Sequence, residues 1–358
     1  MRGERHARRG EGEMRAAVLH GIRDLRLREV PRPERERDQA LVRISVNGLC
    51  GSDIHFFEHG RLGPFVVDRP YIPGHEASGV VVKAAADGSG PAEGTRVTIE
   101  PGVPCRRCAQ CKAGRYNLCP DVVFMSAPPV NGTFADEVAV ASDFIHPLPD
   151  SLDDEAGAFV EPVSVGVQAC VRAGLRAGAT VVVLGAGPIG LVTLLAARAF
   201  GAARLIVVDR LVSRLKLAAR LGADVIDGSA PGIDVPAEVK RLTSGQNAES
   251  VFDATGSSAA CGMAPLLAAR GGSVTLIGWP EISTLPLPVD VIMERELDLH
   301  GVNRYCNTYP RAIALMSSGA IDTRLLVSHR YPFASVCEAF AFASAHRDQT
   351  VKVLVKHT

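Results

Sequence analysis

Cys105, Cys108, Cys111 and Cys119 follow one another as C-x2-C-x2-C-x7-C. Four thiols this close can wrap a single Zn2+ tetrahedrally, because short loops between sulfur ligands bring them to a common centre. Four thiolates on a divalent ion leave an excess of negative charge, and Arg106, Arg107, Lys112 and Arg115 are interleaved with the opposite sign. The alternative is two disulfides in a secreted loop. The chain has nine cysteines, which cannot all pair, and the other five (Cys50, Cys170, Cys261, Cys306, Cys337) are scattered. A reducing, cytoplasmic setting fits that usage better. A closed four-sulfur site has no open position for a substrate, so this cluster announces a structural metal rather than chemistry.

A second group points to a dinucleotide. Gly185-Ala186-Gly187-Pro188-Ile189-Gly190 follows an apolar run at 180–184 and opens a helical pattern. In such a turn the first glycine permits the bend, the second lets backbone approach a pyrophosphate, and the third lets helix and strand pack closely. The phosphates then face free N–H groups at a helix N-terminus. Asp209 ends the next strand-like run, 19 residues beyond Gly190. A carboxylate there accepts the ribose hydroxyls of NAD and repels the 2′-phosphate of NADP. Arg210 beside it is the feature that could serve a phosphate instead. The reading is NAD over NADP.

Cys50, His75, Glu76 and Glu161 are also residues that can ligate a metal, yet each alone has an ordinary explanation. Cys50 can be a small buried apolar side chain, His75 a loop histidine and Glu161 a solvated carboxylate at a helix start. Spacing does not join residues so far apart.

The elements that must position these groups fall into two textures. Up to about residue 147 the pattern is short strands and turns: 15–20 and 24–30 around Gly21, then 40–46 and 78–84, punctuated by Pro31, Pro33, Pro64, Pro70, Pro73 and Pro91. From about residue 156 to 173 the pattern is helical. Strand–helix alternation follows, with strands at 180–184, 205–208, 224–226, 251–254 and 273–277 and helices at 189–200 and 213–221. Short apolar runs of this kind imply strands buried on both faces of a parallel sheet. Past residue 300 the alternation fades, and 351–356 reads as a last strand that returns to the first lobe. The 21 residues 177–197 carry no charge, but Gly185, Gly187, Pro188 and Gly190 at their centre make them a strand, turn and buried helix rather than a membrane span. Residues 1–13 have no apolar core of a signal peptide and read as a disordered tail or an upstream start, with Met14 the more natural beginning.

Composition narrows the function classes. The hydrophobic fraction of 47% and charged fraction of 22% suit a globular protein, and 358 residues suit two domains. A net charge of zero argues against a nucleic-acid binder, including a zinc-ribbon reading of the cysteine cluster, and against a protein held on an anionic membrane.

Together, residues 48–55 (GLCGSDIH), 58–61 (EHGR), 74–79 (GHEASG), 115–118 (RYNL), 161–166 (EPVSVG), 185–190 and 304–308 (RYCNT) resemble the zinc-containing medium-chain dehydrogenase/reductase family. The run 304–308 is similar to its sorbitol (polyol) dehydrogenase branch. The resemblance spans about residues 15–356. It implies an α/β architecture: a GroES-like, β-rich catalytic domain from 14–155 and 300–358, and a Rossmann-type doubly wound parallel-sheet domain at 156–299. It also implies two zinc ions per chain and NAD as cofactor. Cys50, His75 and Glu76 would bind the catalytic zinc with a water, and Glu161 would lie beside that water or replace it. Which carboxylate ligates directly is left open. Ordinary alcohol dehydrogenases carry cysteine where Glu161 stands. Cys105, Cys108, Cys111 and Cys119 would hold the structural zinc, which some polyol dehydrogenases lack.

By the same resemblance a secondary alcohol would give hydride to the nicotinamide while Ser52 and His55 relay the proton to solvent. Arg304 and Glu161 would bind neighbouring hydroxyls, with Phe56, Phe124 and Tyr305 lining the pocket. Gly185, Gly187, Pro188, Ile189, Gly190, Asp209, Arg210, Arg214, Ile277, Gly278, Trp279, Val302, Asn303 and Arg304 would contact the cofactor. Phe56 stands where the animal enzymes have tyrosine, Asn303 where they have phenylalanine, and Ala85 where the family usually has glycine. The first two leave the polyol open among pentitols, hexitols, cyclitols and amino-sugar alcohols, since a site built for one hydroxyl can reject an analogue lacking it by ~10⁴-fold. A threonine or aminocyclitol dehydrogenase is the rival of the same fold. A non-catalytic nucleotide-binding protein is the rival of another class. The resemblance further implies a homo-oligomer, tetramer or dimer, and no nucleic-acid or membrane partner.

Overall fold

A computed structural model describes residues 12–280 and 282–357. The tail expected at 1–13 lies outside the described residues as far as residue 11, and the first strand begins at Glu13.

The N-terminal lobe is β-rich. Strands Glu13–Gly21 and Asp24–Pro31 form an antiparallel hairpin. A separate seven-stranded sheet runs in the order Ile145–Pro147, Arg96–Ile99, Glu76–Lys83, Gln39–Gly48, Lys352–Lys356, Val327–Pro332, with Glu137–Ala141 also paired to Gln39–Gly48. The last strand does return to this lobe: Lys352–Lys356 pairs antiparallel with Gln39–Gly48 and parallel with Val327–Pro332. The register sets Glu76 opposite Gly48 at the sheet end nearest the candidate metal ligands.

The second lobe is a six-stranded parallel sheet, ordered Asp224–Asp227, Arg204–Asp209, Thr180–Leu184, Ala248–Asp253, Ala268–Leu276, Asp298–Gly301. By position along the chain that order is 3-2-1-4-5-6, and it places a ligand crevice where the connections reverse, at the carboxyl end of Thr180–Leu184. The uncharged stretch at 177–197 falls in strand Thr180–Leu184, which is almost wholly buried, and in helix Pro188–Ala199, which is buried from Gly190 to Ala197. Among the described residues no helix is long and apolar enough to cross a membrane.

Helix Asp154–Arg172 joins the lobes. Asp153 caps it by accepting from the Ala156 amide at 2.8 Å, supplying one of the acceptors a helix start lacks. Its buried face carries Phe159, Val160, Val163 and Val167 into a core that includes Val46 and Leu354 of the first lobe and Val181 and Leu191 of the second. Glu161 sits in that face, so a carboxylate is held where the lobes meet.

The fading pattern past residue 300 conceals two helices, Tyr309–Ser317 and Val336–Ala345, and the edge strand Val327–Pro332. Val336, Ala339, Phe340 and Ala343 are buried at the helical period, while the apolar Ala341 and Phe342 outside that stripe blur it in the sequence.

Candidate active site

Cys50 caps helix Gly51–His59, so its sulfur lies at the amide end of the helix, where the macrodipole favours an anion. Its own amide donates to Asp53 Oδ2 at 3.2 Å. His75 ends the loop leading into strand Glu76–Lys83, and Glu76 is the first residue of that strand. One ligand atom from each of Cys50, His75 and Glu76 lies within 4.8 Å of the others. Residues that spacing could not join are therefore one cluster, with a sulfur, a nitrogen and an oxygen donor of the kind zinc accepts. The buried Nδ1 of His75 has no hydrogen-bond partner. Its nearest carboxylate is Asp53 Oδ1 at 3.7 Å. Burial opposes charge on His75, but Asp53 and Cys50 more than offset this and hold its pKa well above the ordinary value. A metal binding there displaces a proton.

Sequence reasoning assigned no role to the groups behind this cluster. Asp53 is fully buried and accepts from Ser126 Oγ at 2.7 Å and the Gly74 amide at 3.2 Å, which fixes its orientation toward His75. Lys352 Nζ donates to both oxygens of Glu76, at 2.7 and 2.6 Å. A Cβ on Gly48 would stand 2.1 Å from Glu76 Oε2, so only glycine leaves room for that carboxylate. The signal for Lys352 was a lysine inside the apolar run 351–355, since a strand buried on both faces cannot hold an ammonium without a partner.

Glu161 stands outside the three-residue cluster and accepts from Tyr305 Oη at 2.7 Å. Burial raises its pKa well above the carboxylate range, against the pull of His75. Phe124 lies 5.7 Å from the His75 ring, and the Arg304 guanidinium stacks over Phe124 at 4.4 Å. Phe56 is buried in the core of the first lobe, edge-on to Tyr71, rather than open to a cleft. His55 is held by Arg61, whose carbonyl lies 2.7 Å from Nδ1. Ser52 sits on the first turn of the same helix, half-buried.

The four cysteines of the second cluster also converge, with ligand sulfurs within 4.8 Å of one another. Cys108 Sγ lies 3.4 Å and Cys105 Sγ 4.0 Å from Cys111 Sγ. Backbone amides of Cys105, Cys108 and Cys111 donate to sulfurs at 3.3 to 3.5 Å, which disperses thiolate charge. Of the interleaved cations, Arg106 is drawn away to Asp143 at 2.6 Å.

The glycine turn behaves as its spacing predicts. Gly185 has φ +93°, and a Cβ on Gly190 would meet Gly185 O at 1.8 Å. A Cβ on Gly187 would meet only Arg214, at 3.7 Å, so the space beside this backbone is open. Asp209 accepts from the Ala186 and Leu211 amides at 2.6 and 2.8 Å, at the end of the strand beside the turn. Arg214 donates to the Arg347 carbonyl at 2.7 Å. Ile277 and Gly278 donate to Asp253 O at 2.8 and 3.0 Å, just past the ends of two paired strands. Val302 donates to Leu276 O, Asn303 O accepts from Asn117, and Arg210 is exposed.

Residues 36–150 match the alcohol dehydrogenase GroES-like domain and 188–318 the zinc-binding dehydrogenase domain. The chain is 42% identical over 350 residues to sorbitol dehydrogenase of Gallus gallus, covering 96% of this chain and 97% of that protein. The chain belongs to the zinc-containing medium-chain dehydrogenases. This dehydrogenase is also 38% identical over 342 residues to sorbitol dehydrogenase of Bacillus subtilis, covering 96% of this chain and 97% of that one. Among solved structures, L-idonate 5-dehydrogenase of Escherichia coli superposes with a TM-score of 0.86 at 28% identity, covering 96% of this chain and 98% of that chain. The enzyme is an NAD(P)-linked oxidoreductase that uses zinc.

Proposed function

We propose that this dehydrogenase oxidises a secondary hydroxyl of a polyol, or reduces the matching ketone, with NAD as cofactor. The observation that carries the reading is the meeting of the Cys50–His75–Glu76 cluster with a buried Glu161 carboxylate and the Arg304 guanidinium. A carboxylate and a guanidinium flanking one reacting carbon suit a substrate with hydroxyls on either side of it. Relatives near 40% identity named for sorbitol support the same class.

Zinc held by Cys50, His75 and Glu76 would supply a Lewis acid that lowers the pKa of a substrate hydroxyl. Asp53 orients His75 for that role. Glu161, held by Tyr305, and Arg304, steadied on Phe124, bind the neighbouring hydroxyls and aim the carbinol hydrogen at the nicotinamide. Ser52 and His55 carry the released proton outward along helix Gly51–His59. Gly185–Gly190 seats the pyrophosphate, and Asp209 favours NAD over NADP. The reading places the enzyme in the cytoplasm, as a homo-oligomer. The exposed edge strand Asp298–Gly301, with Leu299, Val289 and Met293 uncovered, suits pairing with a second copy.

NADH formation with sorbitol, xylitol, iditol, an inositol and threonine tests the proposal. Activity is expected on a polyol and lost in His75→Ala and Cys50→Ser, with zinc falling from two per chain to one. Full activity in either variant, or turnover of threonine alone, would overturn it.

A further inference from the structure

Trp279 is the only tryptophan in the chain and is 56% exposed. Its backbone belongs to the cofactor lobe. A Cβ on Gly256 would lie 2.0 Å from Trp279 O, so the two loops at the carboxyl ends of Ala248–Asp253 and Ala268–Leu276 are pressed together there. The indole does not stay with that lobe. It reaches the tip of a hairpin in the catalytic lobe, strands Arg61–Leu62 and Phe65–Val66, and lies on Gly63. A Cβ on Gly63 would stand 2.6 Å from the indole Cζ2, and Gly63 has φ +56°, so glycine is required there on both counts.

The hairpin is also what holds His55. The Arg61 carbonyl lies 2.7 Å from His55 Nδ1, and the Arg61 side chain donates to Gly63 O at 3.3 Å. Trp279, Gly63, Arg61 and His55 thus form an unbroken series of contacts from the cofactor crevice to the helix that bears Cys50.

We propose that Trp279 is a positioning residue that couples lobe closure on the dinucleotide to the orientation of His55. The indole braces the hairpin tip, the hairpin fixes the Arg61 carbonyl, and that carbonyl fixes the imidazole. The inference rests on the proton-relay role of His55 in the reading above.

Two readouts test it without turnover. The first is Trp279 fluorescence as the zinc-loaded enzyme is titrated with NAD+ alone, with binding followed in parallel by calorimetry. The second is the His55 imidazole resonance, assigned by His55→Ala. Emission is expected to shift to the blue as NAD+ saturates. The His55 resonance is expected to move in Trp279→Ala and return in Trp279→Phe. Where a substrate turns over, Trp279→Ala should lower kcat roughly 10- to 100-fold, and should add nothing in a His55→Ala background. Unchanged emission at saturating NAD+, or a His55 resonance indifferent to Trp279→Ala, overturns the coupling. Absence of turnover on every alcohol tested would count against the functional reading alone.

Discussion

Lys352 and Glu76 form an ion pair with both side chains almost fully buried, 2% and 1% exposed. Burial opposes the ammonium charge, and Glu76 more than restores it, so the lysine pKa is raised. Both Glu76 oxygens are engaged, and the lysine governs how freely that carboxylate turns toward Cys50 and His75. Lys352→Met strands a buried carboxylate, which costs about 3–5 kcal/mol. Lys352→Met with Glu76→Gln should cost less than Lys352→Met alone, because no charge is left unpaired. Urea unfolding of the metal-free variants measures the difference, since zinc on Glu76 would itself supply the missing positive charge. A single variant as stable as the parent would show that Lys352 does not restrain Glu76.

Cofactor choice is expected to depend on Asp209. Its two oxygens take the Ala186 and Leu211 amides, so the carboxylate orders the glycine turn, and in the proposed reading it also meets the ribose. In Asp209→Ala both amides lose their acceptor, and the repulsion against a 2′-phosphate disappears. The ratio of kcat/KM for NAD to that for NADP should fall roughly 10- to 100-fold. An unchanged ratio would place discrimination elsewhere, with Arg210 and Arg214 the neighbouring groups.

Acid stability should report the Glu155 junction. Glu155 accepts from Arg330 through two bonds of 2.8 Å and from Lys356 at 2.8 Å, tying helix Asp154–Arg172 to the two C-terminal strands. The Arg330 bonds, helped by Lys356, hold its pKa down at about 2 against an ordinary 4.5. A depressed carboxylate pKa gives stability that is complete above the unfolded value and is lost as pH falls through the folded one. Glu155→Gln should therefore cost about 1 kcal/mol near neutral pH, the group being partly exposed. The gap between variant and parent should close as pH falls from 4.5 towards about 2. A gap that persists at the acid end would mean the loss is one of packing.

What could be read in advance follows from the range of the interaction. Strand Thr180–Leu184 and the glycine turn were legible because a buried run and a sharp bend are written in consecutive residues. The cysteine cluster was legible for the same reason. The Cys50–His75–Glu76 cluster was reached only through resemblance, because it depends on how the helix start at Cys50 faces the end of strand Glu76–Lys83. Asp53, Ser126 and Lys352 were not reached. Lys352 meets Glu76 only because Lys352–Lys356 pairs with Gln39–Gly48, itself paired with Glu76–Lys83, and no local pattern carries that register.

The cysteine loop and residues 303–307 are joined by three hydrogen bonds, with a fourth anchoring Tyr116 to Glu100, and this gives the structural zinc a kinetic consequence. Asn117 donates to Asn303 O at 2.9 Å, Asn307 donates to Tyr116 Oη at 2.7 Å and to Gly114 O at 2.9 Å, and Tyr116 donates to Glu100 at 2.6 Å. Arg304 and Asn307 both have φ of +56°, a conformation that non-glycine residues keep only when their surroundings impose it. Residues 114–117 lie between Cys111 and Cys119, so a metal on the four sulfurs fixes the loop that imposes it. Cys111→Ser should lower zinc by one per chain and raise KM for the polyol several-fold. Asn117→Ala should raise KM with zinc content intact, by roughly 5- to 10-fold for one lost hydrogen bond. Zinc analysis with initial-rate kinetics separates the two. A Cys111→Ser enzyme that loses one zinc yet keeps the parent KM would show that the loop at 303–307 holds its shape without the metal.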